Sequence, residues 1–487
     1  MRVLLIDIDS LRPDHLGCYG YHRNTSPNID EIASEGVRFS NYHCSDAPCL
    51  PSRTALMTGR FGIHTGVVNH GGVAADFRYE GINRDMEDRL SKECLPAIFR
   101  KKGMKTALIS PFGERHSTWS FYAGFDEIYN TGRRGRASAE EISPTIQAWL
   151  DRNADDDDWF LYVNYWDPHT PYRAPSEYGN PFENEPLKDF YTEELLEKHM
   201  KAVGPHTSQE LYSYHDNPKP EMPRALGKLT NFEDLRTFID GYDIGIHYAD
   251  YHVGKIIEKL KENGIYEDTA IIVTADHGEN LGELAIYAEH ATADKATTNI
   301  PMIIKWPGSR KGVEDKGLHY NLDLCPTVAD IVDVDKPCIW DGESYASSIF
   351  EDIETGHDEL IIGQMAHVCQ RAVRFENYMY IRTYHDGYYL FPKEMLFDLE
   401  KDPYETNNIA KEHPEICKEA VYRLSNWHDE MMMTMDNQVD PLWTVIREGG
   451  PHHAKGHLKE YIKRLEVTGR GGDAVEELKR RHPYELV

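Results

Sequence analysis

The chain has few cysteines, no long apolar run and too few basic residues to balance its acids. Eight cysteines in 487 residues show neither metal-finger spacing nor the density of a disulfide framework. That excludes a small stapled scaffold and points to reduced thiols. Against 82 Asp and Glu stand 53 Lys and Arg, a formal net charge of −29. Such a field excludes nucleic acid and anionic membrane surfaces as partners. It also repels small anions, so a site for one must carry its own cluster of cations. No stretch approaches the roughly 18 apolar residues of a membrane span. Met1-Arg2-Val3-Leu4 runs directly into a core-type strand, with no charged n-region, long apolar h-region or cleavage site. The expectation is a cytoplasmic protein whose substrate is small enough to be imported.

What is present is ordinary globular material: hydrophobic residues make up 40% and charged ones 28%, enough for an ample core at this length. Apolar strands are predicted over Val3–Asp9, Val37–Cys44, Lys105–Ser110, Trp159–Trp166 and Thr269–Ala275. Several of them run straight into polar, chemistry-bearing residues. Open α/β sheets place their ligands at such carboxyl ends. Asp7 and Asp9 lie two apart on one face, so both can reach one metal. Thr269–Ala275 reads as a buried parallel strand and delivers Asp276-His277-Gly278-Glu279. Ser26-Pro27 opens a helix closed by Gly36. Apolar residues at helical spacing from Phe238 to Leu260, ended by Gly264, predict a long amphipathic helix.

The stretch Cys49-Leu50-Pro51-Ser52-Arg53, followed by Leu56-Met57-Thr58-Gly59-Arg60, carries the chemistry. Pro51 suits the first turn of a helix, and Cys49 falls at its anion-favouring N-terminus. This pattern resembles the modification signature of the type I sulfatases of the alkaline-phosphatase superfamily. Asp276-His277-Gly278-Glu279 and Pro168-His169-Thr170-Pro171 are similar to further segments of that family. The resemblance runs in pieces from Val3 to about Asn408.

The resemblance implies that Cys49 is oxidised to formylglycine by a maturation enzyme. One hydroxyl of the hydrated aldehyde attacks sulfur, and the other later expels sulfate. It selects Asp9, the modified Cys49, Asp276 and His277 as ligands of one divalent cation, Ca²⁺ first, with Mg²⁺ or Mn²⁺ as substitutes. Ser10 stands where the family has a second acid and is expected to ligate through its hydroxyl or water. Arg53 is expected to stabilise the nucleophile, and a protonated His169 to assist the leaving group. The family's Gly-Lys-Trp-His motif is missing, its Lys replaced by Pro111, and Arg115 and His116 are the natural replacements. His290 matches a second catalytic Lys, with Lys295 as the alternative. Asn69 and His70 line the sulfate pocket on this reading, and Arg12 joins the residues neutralising charge.

The expected fold is α/β: a large mixed, mostly parallel sheet sandwiched by helices, alkaline-phosphatase-like, with a smaller C-terminal antiparallel-sheet subdomain. Residues 1–365 form the catalytic domain, with a substrate-shaping insertion at 175–229. Residues 366–487 form the C-terminal subdomain and tail. The tail from Asp440 is Gly- and charge-rich without readable chemistry, and is expected to wrap a neighbouring subunit in a homo-oligomer. The expected activity is hydrolysis of sulfate esters of small sugars, such as uronic-acid disaccharides from glycosaminoglycans. The alternative is a formylglycine-dependent phosphonate monoester or phosphodiester hydrolase, favoured by Ser10 and Pro111.

Overall fold

The computed structural model describes residues 1–77, 89–218, 222, 224–435 and 439–486. An eight-stranded sheet runs in the order Val313–Tyr320, Val37–His43, Met302–Lys305, Thr269–Thr274, Arg2–Ile8, Trp159–Tyr165, Lys105–Ile109, Glu127–Tyr129. All neighbours pair in parallel except Met302–Lys305, which is antiparallel to both strands beside it. The central strand Arg2–Ile8 is buried from Val3 onward, as are Trp159–Tyr165 and Thr269–Thr274 throughout. Burial on both faces explains why these segments read as continuous apolar runs rather than alternating ones.

Two groups of helices flank the sheet. In one, Pro27–Ser34 and Ala139–Asn153 pack on the long helix Phe232–Glu262. In the other, Cys49–Thr58, Leu95–Lys101 and Leu324–Ile331 pack together. Local chemistry sets their ends. Ser138 and Glu141 form a reciprocal capping box. The Asn231 side chain accepts from the Asp234 N–H at the start of the long helix, and Gly264, at φ +68°, follows its end.

A second sheet of five strands holds the C-terminal part, in the order Glu394–Asp398, Tyr378–His385, Cys369–Phe375, Glu359–Gln364, Asp46–Ala47. It starts at Glu359 rather than near residue 366. Its edge strand comes from the segment just before Cys49, which pairs in parallel with Gly363 and Gln364. The small sheet is thereby tied to the Cys49 loop, a long-range pairing invisible to local pattern.

The tail departs from expectation. It forms helices Pro441–Arg447, Leu458–Val467 and Gly472–Arg481. Leu458, Tyr461, Leu465, Val475 and Leu478 pack with Tyr214 and Tyr388 of the same chain. These apolar faces are therefore covered in cis. Within 175–229, Glu193–His199 is helical, while residues 219–221 and 223 lie outside the described residues.

Candidate active site

Three strand-end acids converge on one guanidinium. Arg53 Nε donates to Asp7 Oδ2 at 2.7 Å, Nη1 to Asp276 Oδ2 at 2.5 Å and Nη2 to Asp9 Oδ2 at 3.2 Å, with every side chain fully buried. Such a set is tolerable only because the charges pair. Arg53 is thus a brace beneath the acids, and the expected direct contact with the nucleophile is replaced by this one. The helix Cys49–Thr58 makes the arrangement possible, placing Cys49 at its first position and Arg53 one turn on. Asp7 also accepts from Tyr162 Oη at 2.5 Å and from Asn164 Nδ2 at 3.2 Å. It supports Arg53, and Asp9 is the acid that faces the thiol's neighbours.

Around the Cys49 sulfur lie a guanidinium and imidazoles. Arg115 Nη2 is 3.6 Å away, while Arg115 Nη1 donates to Asp9 Oδ2 at 2.9 Å. His277 Nε2 is 3.4 Å from the sulfur. Its Nδ1 lies 2.7 Å from the Gly278 carbonyl; a carbonyl only accepts, so Nδ1 carries a proton and Nε2 is the nitrogen turned to the thiol. Burial alone raises the thiol pKa, but Arg115 and His277 outweigh it and bring Cys49 down to about 7. Burial likewise opposes ionisation of Asp9, yet Arg115 and Arg53 hold it well below the usual carboxylate range.

One ligand atom from each of Asp9, Cys49, Asp276 and His277 lies within 4.8 Å of the others, and all four residues are buried. Two carboxylate oxygens, an imidazole lone pair and the group at position 49 fit a small divalent cation. The expectation for Ser10 is revised. Its N–H donates to Asp276 Oδ1 at 3.1 Å, its hydroxyl sits 3.4 Å from Asp9 Oδ1, and its backbone is left-handed at φ 60°. Ser10 orients both acids.

Two further imidazoles differ in protonation. His169 Nδ1 is 2.6 Å from the Thr170 carbonyl and so carries the proton, leaving Nε2 as an acceptor 3.9 Å from Asp9. Burial and Arg115 hold its pKa well below the usual value. The expected protonated His169 is therefore neutral in the resting protein. His290 is the cationic ring: burial lowers its pKa, but Glu289, 3.0 Å from Nε2, raises it well above normal. The two ring centres are 5.4 Å apart.

His70 and His116 reach the same chamber; their rings are 4.4 Å apart, and one nitrogen of each lies within 4.8 Å of the Cys49 sulfur. Asn69 is fully buried beside them. Its Oδ1 accepts from the His70 and His452 N–H groups, and its Nδ2 has no hydrogen-bond partner among the described residues. Arg12 and Lys295 are not brought to the thiol. Arg12 is committed to Asp14 and Glu283, both at 2.8 Å, and with Lys295 lines a separate cleft. The intervening turn diverts Arg12 away from the strand end that holds Asp9.

Sequence reasoning missed the wall formed by Glu289, His206, His367 and His453. Glu289 lies 3.1 Å from His206 Nε2 and 3.6 Å from His367 Nε2. The His452-His453 doublet behind Gly449-Gly450-Pro451 was the available signal.

A mixed sheet that gathers acids, a thiol and imidazoles at its strand ends defines an alkaline-phosphatase-like α/β hydrolase. The chain belongs to the sulfatase family, the sulfuric ester hydrolases: the family model described as Sulfatase matches residues 2–334. A second, described as N-sulphoglucosamine sulphohydrolase, C-terminal, matches residues 282–430. Iduronate 2-sulfatase of Mus musculus is 28% identical over 356 residues, covering 63% of this chain and 60% of that protein. Delta 4,5-hexuronate-2-O-sulfatase of Bacteroides thetaiotaomicron is 23% identical, covering 95% of this chain and 96% of that protein. In fold, the chain resembles a phosphonate monoester hydrolase of Agrobacterium radiobacter, with a TM-score of 0.67, 19% identity and coverage of 88% and 96%.

Proposed function

We propose that this sulfatase removes sulfate from small glycosaminoglycan-type sugars, with a 2-sulfated uronic acid as the favoured substrate. The convergence of Asp9, Asp276 and His277 on Cys49 carries the catalytic reading. Similarity to two relatives named for uronate 2-O-sulfate hydrolysis supports the sugar. Cys49 is 1% exposed, so a maturation enzyme must convert it before the chain folds. The converted residue supplies a hydroxyl nucleophile, and a divalent cation, with Ca²⁺ the first choice, supplies Lewis acidity to that hydroxyl and to the sulfuryl oxygens.

The chain's own groups perform the rest. Asp9, Asp276 and His277 hold the cation, with Arg53 fixing the acids. Arg115 reaches the reacting centre as a fixed cation beside Cys49 and balances charge on the sulfuryl oxygens. His169 and His290 form an acid–base pair set apart by their surroundings. His290 donates the proton to the leaving oxygen, and His169 Nε2 accepts the proton of the attacking hydroxyl. The charge of −29 makes these local cations necessary for an anionic substrate.

The test is sulfate release from a panel of sulfated uronic-acid mono- and disaccharides, set against phenylphosphonate monoester turnover on the same converted protein. Cys49→Ala serves as the blank. A sugar sulfate preferred by several orders of magnitude in kcat/KM is the expected result. Preference for the phosphonate would assign the second reading, which the single acid at Asp9-Ser10 and Pro111 in place of the family's Lys favour.

A further inference from the structure

The wall beside the nucleophile holds nitrogen donors that the hydrolytic reading does not use. His70 comes from the loop after the short helix Gly62–Thr65. His367 comes from the turn between strands Glu359–Gln364 and Cys369–Phe375, and His453 from between the tail helices Pro441–Arg447 and Leu458–Val467. His70 Nδ1 lies 2.9 Å from His453 Nε2. The His367 and His453 rings stack with centres 4.2 Å apart and planes 14° from parallel. One nitrogen from each of the three rings lies within 4.8 Å of the other two.

Their hydrogen bonding is incomplete. Among the described residues, His70 Nε2 and His367 Nε2 are buried without a hydrogen-bond partner, and His367 is only 6% exposed. Stacked imidazoles with unsatisfied nitrogens are costly in a dry interior. Glu289 is the nearest carboxylate, 3.6 Å from His367 Nε2, and supplies negative charge at the cluster's edge.

From this geometry we infer a second metal site, formed by His70, His367 and His453 and selective for Zn²⁺. Three imidazoles with a fourth position open to water or Glu289 match zinc's tetrahedral, nitrogen-preferring coordination. The carboxylate-rich site at Asp9 and Asp276 favours harder cations. The two sites therefore sort metals by ligand chemistry although they share one chamber. The ion adds a clamp to three segments that otherwise meet here through hydrogen bonds, His452 N–H to Asn69 Oδ1 and His453 N–H to the Ala366 carbonyl, the farthest 383 residues apart in sequence. It also fixes the His70 ring against His116, 4.4 Å away and facing Cys49. Zinc here shapes the chamber wall and holds the tail closed over it.

The experiment is elemental analysis of the full-length protein for zinc and calcium together, after dialysis against both ions. His453→Ala and His367→Gln are compared with the neighbouring control His452→Ala. The expected result is one zinc per chain in the wild type and control, reduced to background in His453→Ala and His367→Gln, with calcium unchanged in all four. Cobalt exchanged into the wild type should show tetrahedral d–d bands without a thiolate-to-cobalt charge-transfer band, including in Cys49→Ala. Zinc retained in both histidine variants overturns the assignment, as does no zinc above background in the wild type. A thiolate band lost in Cys49→Ala overturns it too, by placing the ion on Cys49, His277 and His290. The cobalt spectrum of the wild type decides the matter even if a variant does not fold.

Discussion

Arg115 lays its guanidinium 3.4 Å from the centre of the Trp166 ring while donating to Asp9 at 2.9 Å. The ring fixes the plane of the fork, and the fork spans Asp9 and Cys49. Lys has neither the planar face nor the two-ended reach. Arg115→Lys is expected to lower kcat/KM by about 100-fold, the loss typical of one aimed charge-stabilising donor, with little change in Tm. Trp166→Ala, which loosens the fork without removing it, should cost about 10-fold. Equal activity of Arg115→Lys and wild type would remove Arg115 from the chemistry.

Among the described residues, Arg53 is the only cation bonded to all three of Asp7, Asp9 and Asp276. Arg53→Met leaves buried carboxylates without compensation and is expected to destabilise the protein by about 3–5 kcal/mol. Chemical denaturation measures this. Full stability in Arg53→Met would show that the acids are protonated or otherwise paired.

Glu289 holds the proton on His290. Glu289→Gln removes the charge that raises this pKa, so burial then lowers it. The rate of Glu289→Gln should therefore fall on the alkaline side and approach wild type as pH drops. A pH–kcat profile parallel to that of wild type would sink the assignment of His290 as the acid.

Gly245 lies in the long helix, where a Cβ would sit 2.9 Å from Pro168 Cβ and 3.0 Å from Pro168 Cα. Pro168 immediately precedes His169, so Gly245→Ala pushes the loop that carries His169. We expect about a 10-fold loss of kcat/KM together with ~1–3 kcal/mol of overpacking. Gly254→Ala, on the same helix but against Asn28, should show the destabilisation without the catalytic loss. Equal kinetic effects in the two variants would mean that the helix acts only through stability.

His357 Nε2 lies 2.9 Å from Asp323 Oδ2. Burial lowers the His357 pKa, but Asp323 outweighs it and the net shift is upward. A raised folded pKa gives stability that is complete below the unfolded value of about 6.5 and is lost as pH rises through the folded one. His357→Ala should therefore cost about 2 kcal/mol in mild acid and much less at alkaline pH. Urea midpoints across pH measure the closing gap.

The fold and half of the site are local properties of the chain. The buried strands are continuous apolar runs, and Asp9 and Asp276 directly follow two of them, so sheet topology delivers both to one edge. Cys49 and Arg53 are one helical turn apart, which periodicity alone places together. For Ser10, Arg12 and Lys295, adjacency in sequence was a poor guide. A left-handed backbone turns Ser10 into a support for the acids, and competing acids draw Arg12 elsewhere.

Sequence by itself therefore determined the layered α/β architecture and the acids at the strand ends, because short-range period and strand ends set them, while Cys49 was singled out by its resemblance to a family signature. Tertiary structure alone decided which acid braces Arg53 and which imidazole is charged. It also brought His453 of the tail across 383 residues to His70. Those outcomes depend on burial and on long-range approach of charges, and neither leaves a periodic trace in the chain.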